Sequence, residues 1–300
     1  MAEQAVRRIL FVINPAAGSG HLEQVREVIH QLQAQHLDVD EYTTSAPGSA
    51  TAYLRQLDQH YDIVAVAGGD GTVNEVINGL DHLQKRNPEI ALAVVPVGTA
   101  NVLAAELGLS LDVDDMVRRF LANQRRAVYF ARINDQRFVM MAGFGYDAWV
   151  VQAVNARLKH YIGKLVYVLS MLWQITRYGK QRFSVECDGH IYSAYSLVVA
   201  NGSHYGGNFT ISRQADIGNP RFQVLLYQSK SRWRLLQYLF ALPLGKMESV
   251  PTLVSFRATQ IHVQAEIDDV IQLDGDIRAS IKSDQLIRVV ADAKPTQVIV

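Results

Sequence analysis

Over the first third of the chain, short apolar runs alternate with longer stretches of helical spacing. Arg8 to Ile13 is a run of the buried-strand kind that halts at the turn-rich Asn14-Pro15-Ala16-Ala17-Gly18-Ser19-Gly20. From His21 to His36 the apolar positions Leu22, Val25, Val28, Ile29 and Leu32 repeat as one helix face. The same reading predicts strands at Val39 to Thr44, Asp62 to Ala67 and Ile90 to Val95, and helices at Ala50 to His60, Thr72 to Leu80 and from Ala100. Strand, loop and helix in repetition imply a parallel sheet covered by helices, whose ligands bind beyond the carboxyl ends of the strands.

From about Val128 the pattern changes to β-branched and aromatic runs parted by turns such as Asn134-Asp135, Asp188-Gly189 and Asn201-Gly202. Strands are predicted at Phe183 to Cys187, Ile191 to Ala200, Phe222 to Tyr227, Leu253 to Thr259, Ile261 to Ala265 and Leu286 to Val290. Helical stretches interrupt them at Trp149 to Tyr178 and Ser231 to Leu242. The expected division is an α/β domain over residues 1–127 and a β-rich domain over 128–300.

With 300 residues, 49% apolar and 19% charged, the chain has ample material for a core. A net charge of zero argues against a nucleic-acid coat protein. The single cysteine, Cys187, excludes an intrachain disulfide and a cysteine-cluster metal site. No apolar stretch approaches the roughly 18–20 residues of a membrane span, and Ile9 to Ile13 is too short for a signal-peptide core, so a cytoplasmic protein is expected. The neutral total hides an asymmetry. Residues 1–117 carry 6 basic and 16 acidic side chains, whereas residues 118–182 carry 12 basic and 2 acidic ones. The basic segment suits either a solvated face or an anionic surface such as the inner face of a membrane.

The strongest chemical signal is Gly68-Gly69-Asp70-Gly71-Thr72-Val73-Asn74-Glu75, directly after a buried strand. Glycines let backbone approach a phosphate closely, and the helix that follows offers unpaired N–H groups to an anion. Asp70 is suited to Mg²⁺ or its waters beside phosphates. Asn14-Pro15-Ala16-Ala17-Gly18 and Pro96-Val97-Gly98-Thr99-Ala100-Asn101 end neighbouring strands with similar small, polar chemistry. Three such loops on one sheet edge point to a nucleotide cradle. No Gly-x-x-x-x-Gly-Lys-Ser/Thr run exists, which excludes a P-loop enzyme. Gly143-Phe144-Gly145-Tyr146-Asp147-Ala148 fits the loose dinucleotide pattern but lacks its acid about 20 residues on, so a glycine-kinked β segment that aims Asp147 is expected. Gln272-Leu273-Asp274-Gly275-Asp276 reads either as a hairpin turn or as two carboxylates facing a cleft, one accepting a proton or both helping to hold Mg²⁺.

Taken in order, Asn14-Pro15, Gly68-Gly69-Asp70-Gly71-Thr72 with Asn74-Glu75, Gly98-Thr99-Ala100-Asn101 and Asp274-Gly275-Asp276 resemble the soluble diacylglycerol kinase and sphingosine kinase superfamily, in its bacterial lipid-kinase branch. The resemblance runs from Ile9 to Val300. It implies a phosphofructokinase-like α/β domain followed by a C-terminal β-sandwich, with ATP as co-substrate, Mg²⁺ as cofactor and a lipid as substrate. It implies ATP binding by Gly68 to Glu75, Thr44 and Thr99, and Asp274 as the base that takes the proton of the lipid hydroxyl. Asp147 would join Asp70 in the acidic network, and Asp216, Asn219 and Arg221 would mark a structural Mg²⁺ loop. Two departures stand out: Val102 follows Asn101 where the family often has Asp, and the loop reads Gly218-Asn219-Pro220-Arg221, with a neutral side chain that weakens affinity for a hard cation.

The apolar stretch Tyr161 to Tyr178, bordered by Arg157, Lys159, Lys164, Arg177 and Lys180, and the stretch Trp233 to Leu244 suit peripheral contact with a membrane, or a core helix with basic ends. Two competing functions share many features: a kinase of a soluble substrate, such as an NAD kinase, and a catalytically inactive lipid-binding regulator. The residues do not specify the lipid or the oligomeric state.

Overall fold

The computed structural model describes residues 7–17, 21–153, 165–205 and 209–300, with side chains of residues 165–169 excluded. Two compact units divide it: one comprises residues up to Val128 together with Lys294–Val300, the other Tyr129–Ala293. The last seven residues, which the sequence assigns to the β-rich domain, therefore return to the first unit. Their signal is too short to read locally, because Val298 and Ile299 are buried only through pairing with strands far back in the chain.

In the first unit, β1 (Arg8–Ile13), α1 (Leu22–Ala34), β2 (Asp38–Thr43), α2 (Ser49–Gln56), β3 (Ile63–Gly68), α3 (Asp70–Gln84), β4 (Ala91–Pro96), α4 (Val102–Leu107), α5 (Val113–Ala122) and β5 (Arg125–Val128) follow in order. The sheet order is β2-β1-β3-β4, then the strand Thr296–Ile299, then β5. The first four strands are parallel, and Thr296–Ile299 pairs parallel with β4 and antiparallel with β5. Successive connections leave β1 and β3 in opposite directions along the sheet, so the loops after these two strands flank its topological switch point. Alternate residues Ile9, Phe11, Ile13, Ile63, Ala65 and Ala67 pack against Val25, Val28, Ile29 and Leu32 of α1 and Met116, Val117 and Phe120 of α5. Gly79, inside α3, lets α2 approach: a Cβ there would lie 2.6 Å from Cβ of Leu54. The helix expected from Thr72 begins two residues earlier, at Asp70, where an acidic side chain suits the positive end of the helix.

The second unit holds β6 (Ala131–Ile133), β7 (Gln136–Phe138), β8 (Met141–Phe144), α6 (Tyr146–Ala153), α7 (Leu165–Gln174), β9 (Phe183–Cys187), β10 (His190–Ala194), β11 (Ser196–Ala200), the short pair β12 (His204–Tyr205) and β13 (Phe209–Thr210), β14 (Phe222–Tyr227), α8 (Arg232–Ala241), β15 (Leu253–Ala258), β16 (Gln260–Ala265), β17 (Asp269–Leu273), β18 (Asp276–Ile281) and β19 (Ile287–Ala291). Two six-stranded antiparallel sheets, β10-β9-β16-β19-β6-β7 and β15-β14-β11-β8-β17-β18, enclose one core that includes Phe138, Phe144, Phe183, Phe222, Ile271 and Val289. The run expected as a single strand from Ile191 to Ala200 is two strands. The chain leaves β10 in one sheet and enters β11 in the other, breaking at Tyr195, whose N–H donates to the Tyr227 carbonyl. Of the helical stretch expected at Trp149 to Tyr178, residues 154–164 lie outside the described residues.

A buried ion triad stands near the end of this unit. Asp292 lies 2.6 Å from Arg132 and 2.7 Å from Arg137, and both Asp292 and Arg137 are buried. Removing one member of such a group leaves uncompensated charge in a low-dielectric site, which costs about 3–5 kcal/mol. Asp292→Ala is expected to lower stability in urea by about that amount, and the Asp292→Ala, Arg137→Met double variant is expected to recover part of the loss.

Candidate active site

The first cluster of candidate residues lies at the carboxyl ends of β1 to β4. Asn14 directly follows β1. Its Nδ2 donates to Oγ1 of Thr72 at 2.8 Å, and its Oδ1 accepts from the N–H of Ala16 at 3.0 Å. The loop after β1 is thus tied to the first turn of α3. Thr44 follows β2, and its N–H donates to the Ile13 carbonyl at 2.8 Å. Gly68 closes β3 against α3: a Cβ there would stand 2.6 Å from Cβ of Thr72. The loops after β3 and β4 meet backbone to backbone. A Cβ on Gly98 would lie 2.4 Å from Cα of Gly69, an overlap that no rotamer relieves.

Asn101 shapes the loop after β4 from inside. It adopts the left-handed conformation at φ 47, its Nδ2 donates to the Gly98 carbonyl at 2.7 Å, and its Oδ1 accepts from the Gly98 N–H at 2.9 Å. Asp70, the first residue of α3, accepts from the N–H of Val102 at 2.6 Å and so ties α3 to the start of α4. Val102 supplies no carboxylate, but its backbone holds the carboxylate that is there. Thr99 is exposed on this loop, and Gly71 is exposed on the first turn of α3.

Three expected nucleotide contacts have internal duties that their motif did not disclose. Thr72 and Asn74 are buried; Thr72 receives Asn14, and Asn74 accepts from Asn78 through its carbonyl at 2.8 Å. Glu75 accepts from the N–H groups of Gly48 and Ala50 at 2.8 and 3.3 Å, satisfying donors at the start of α2. It positions the segment that follows Thr44.

The second cluster lies wholly in the other unit. Asp147, near the start of α6, is buried; it accepts from the hydroxyl of Tyr205 and from Nε2 of Gln272, the latter at 2.7 Å. Burial pushes its carboxyl above the ordinary aspartate value, against the pull of those two bonds. Tyr205 is pushed up as well, by burial and then by the Asp147 charge, which keeps its hydroxyl a donor. Gly143 makes this pairing possible, since a Cβ there would fall 1.7 Å from Oδ2 of Asp147 and 2.8 Å from Nε2 of Gln272. Gly145 takes φ 72 between β8 and α6. The β segment expected over Gly143 to Asp147 is therefore a strand only as far as Phe144: Gly145 makes the turn and Tyr146 and Asp147 open α6, because the positive φ at Gly145 ends the antiparallel strand there.

Asp274-Gly275 is the turn of the β17–β18 hairpin, with φ of 52 and 88. The two carboxylates of this motif part company. Asp274 turns onto the segment before β8 and accepts from the N–H groups of Val139, Met140 and Met141 at 2.8, 2.8 and 3.1 Å. Asp276 is exposed and pairs with Arg278 at 2.9 Å. Gln272 connects the turn to the interior: its Oε1 accepts from the Gly275 N–H at 2.7 Å while its Nε2 serves Asp147. Gln272 and Tyr205 escaped the sequence reading, because neither belongs to a motif and their partners lie 125 and 58 residues away. Asn201, read as a turn residue, is buried and donates to the carbonyls of Tyr129 and Val139 at 2.7 and 2.8 Å. The segment that receives Asp274 is thereby fixed from its other side.

Above Asp147 lies a cavity of about 40 Å³. Tyr146, Tyr205, Tyr227 and Tyr238 contribute to its walls, with Met171 of α7 and Leu235 and Leu239 of α8. The Asp216 turn is held by bonds of its own: Asp216 accepts from Gly218 N–H through Oδ1 and from Asn219 N–H through its carbonyl. Among the described residues no three His, Cys, Asp or Glu side chains gather as a metal-ligand set. Asp70 is the one carboxylate of the β3 and β4 loops, of the type that assists a Mg²⁺ ion otherwise held by phosphate oxygens.

Residues 8–133 match the family model described as the diacylglycerol kinase catalytic domain, and residues 140–294 match that of the YegS C-terminal NAD kinase beta sandwich-like domain. The chain is 22% identical over 276 residues to a diacylglycerol kinase of Bacillus subtilis (strain 168), covering 90% of each chain. It is 23% identical over 274 residues to a diacylglycerol kinase of Staphylococcus saprophyticus, covering 90% of this chain and 89% of that one. The crystal structure of a diacylglycerol kinase from Bacillus anthracis str. Sterne superposes with a TM-score of 0.79 at 23% identity, covering 99% of this chain and 98% of the other.

The raised carboxyl of Asp147 sets a pH dependence. Between the ordinary value of 3.8 and its higher folded value, the native state binds more protons than the unfolded chain. Stability conferred by this group is therefore present below that window and is lost as pH rises through it. Asn at 147 does not titrate. Thermal denaturation from pH 4 upward is expected to show Asp147→Asn gaining on the wild type as pH rises, then running parallel to it. A difference that is constant with pH would remove Asp147 from this role.

Proposed function

Because the chain belongs to the family that joins a diacylglycerol kinase catalytic domain to a YegS-type C-terminal domain, we propose that it transfers the γ-phosphoryl group of ATP to a hydroxyl of diacylglycerol or a related lipid alcohol. The observation that carries this reading is the convergence of the loops after β1, β3 and β4 through the Asn14–Thr72, Gly69–Gly98 and Asp70–Val102 contacts. Phosphoryl transfer is catalysed mainly by positioning and by neutralising charge. Backbone at Gly68, Gly69 and Gly98 and the exposed Gly71 and Thr99 supply a close, side-chain-poor approach for phosphates, which also meet the N-terminus of α3. Mg²⁺, when bound with the nucleotide, adds charge neutralisation, and Asp70 is the residue that would hold it. Glu75 and Asn14 orient the loops.

In the second unit, Asp274 is the residue proposed to take the hydroxyl proton. Its three backbone donors fix the carboxylate before substrate arrives, so little reorganisation is left for the reaction. Gln272 positions the turn, and Asp147 with Tyr205 gives a polar floor to a cavity otherwise walled by aromatic and aliphatic groups. At about 40 Å³ the cavity as it stands admits only a few waters, so it marks a polar spot under apolar walls and not a lipid-sized chamber.

The test is an assay with ATP and Mg²⁺ against diacylglycerol, monoacylglycerol, ceramide, a sphingoid base and NAD, with products identified by mass. A lipid phosphate is expected; phosphorylated NAD with no lipid product would overturn the reading, and so would no turnover on any substrate. Two variants probe the parts. Asp274→Asn is expected to lower kcat by about 10²–10⁴ in the folded fraction, with KM for ATP kept. It is also expected to lower thermal stability, because the amide cannot accept all three N–H groups; a folded variant of wild-type kcat would take Asp274 out of the chemistry. Gly98→Ala forces the β3 and β4 loops apart at a cost of about 1–3 kcal/mol, and is expected to weaken ATP binding at least about tenfold, read by calorimetric titration.

A further inference from the structure

Among the described residues of the second unit, the most exposed aromatic groups lie on α7 and α8, while Ile191, Ile267 and Leu286 are exposed singly elsewhere. Trp173 is 76% exposed, Trp233 69%, Phe240 72%, Leu244 64% and Leu172 54%. Two of the chain's three tryptophans thus face outward, although tryptophan is usually among the better buried side chains. On α8 the arrangement is two-sided. Leu235, Tyr238 and Ala241 are buried, whereas Trp233 and Phe240, seven residues apart and so on one stripe, are open, with Leu244 just past the helix end.

The two helices are joined where one ends and the other begins. Nη2 of Arg232 donates to the Thr176 carbonyl at 2.8 Å, the Tyr178 hydroxyl donates to the Ser229 carbonyl at 2.7 Å, and Gly179 approaches the Lys230 carbonyl so closely that a Cβ would stand 2.7 Å from it. The segment after α7 is thereby fastened to the start of α8. Arg177, Lys180, Lys230, Arg232 and Lys246 are exposed around these groups. No Asp or Glu occurs from 165 to 182 or from 229 to 247. An apolar patch edged with cations and free of acid has the chemistry of an anionic lipid surface, with the aromatic rings at headgroup depth and the cations on phosphates.

We infer that the α7–α8 face, carrying Trp173, Trp233, Phe240 and Leu244 with Lys180, Lys230 and Lys246, docks the protein on an anionic bilayer. The lipid-kinase reading supplies only the setting, a substrate held in a membrane; the docking face stands on the exposure and charge of these residues. Its position has a use for that reaction, because the inner sides of the same helices, at Met171, Leu235 and Leu239, wall the cavity above Asp147.

The test measures binding without ATP, which separates it from turnover. The wild type is expected to sediment with vesicles of phosphatidylglycerol and phosphatidylcholine, to bind pure phosphatidylcholine at least tenfold less, and to be released by 0.5 M salt, where screening is nearly complete. Its tryptophan emission is expected to shift to the blue on vesicles and to be quenched by brominated acyl chains. Trp173→Ala, Trp233→Ala and Phe240→Ala together are expected to lower vesicle affinity by about two decades. Replacing Lys180, Lys230 and Lys246 by Gln is expected to lower it about fivefold per lysine. Phosphorylation of a detergent-dispersed, short-chain lipid is expected to be unchanged in both variants. If the reaction fails on every lipid while vesicle binding and its loss are as described, the kinase reading fails and the docking face stands. Wild-type vesicle affinity in either variant would overturn the inference. So would a wild type that ignores vesicles, including one that uses this face to pair with a second copy in sedimentation equilibrium.

Discussion

The loops after β3 and β4 meet backbone to backbone at Gly69 and Gly98, where a single added carbon on Gly98 would sit 2.4 Å from its neighbour's Cα. Everything proposed for the cluster in the first unit depends on that approach. The strand ends present backbone because there is no side chain to present. Asn101 can bracket Gly98 with both of its amide atoms because the loop is drawn in tightly enough to reach. The cluster is rigid for a reason separate from its ligand: Asn14, Thr72, Asp70 and Glu75 spend hydrogen-bonding capacity on holding one loop to the next. A phosphate site of the kind proposed would be organised before any phosphate arrives, which is the form of catalysis that phosphoryl transfer rewards.

A second omission of side chain performs the corresponding task in the other unit. The space that a Cβ at Gly143 would take is taken by the Asp147 carboxylate. A buried carboxyl needs partners, and Tyr205 and Gln272 provide them. Since Gln272 also receives the Gly275 N–H, the interior carboxyl and the hairpin turn with Asp274 form one hydrogen-bonded set. The turn geometry and the proposed chemistry are compatible: Asp274 has the positive φ that an Asp-Gly hairpin asks for, and that same geometry aims its carboxylate at three backbone donors.

Much of this was legible in the residues wherever the cause was local. β14 runs from Phe222 to Tyr227 as the apolar run predicts, and the Asn-Pro, Gly-Gly-Asp-Gly and Gly-Thr-Ala-Asn loops end their strands where turn chemistry places them. What was not legible depended on distant partners. Tyr195 sits in an unbroken β-prone run, and only the pairing of β10 with β9 and of β11 with β14 makes it the point where the chain changes sheets. Asn201 next to Gly202 has the look of a surface turn, yet its amide serves carbonyls 72 and 62 residues away. Glu75 belongs to a nucleotide motif by position, while its observed task is to satisfy the start of α2. Motif reading locates such residues and leaves open what each one touches.

The strand Thr296–Ile299 lies between β4 and β5 in the first sheet, and among the described residues β5 joins that sheet only through it. In chain order this strand follows the whole of the second unit. During synthesis, at roughly 5–20 residues per second, β5 leaves the ribosome on the order of ten to thirty seconds before the strand that gives it a place. Meanwhile the open edge of β4 and the unpaired β5 are exposed backbone, the kind that recruits wrong partners. The first unit therefore cannot close its sheet as a vectorial, domain-by-domain folder would. It must stay receptive until the second unit has been made, so the unit that begins first in the chain is the last to be completed.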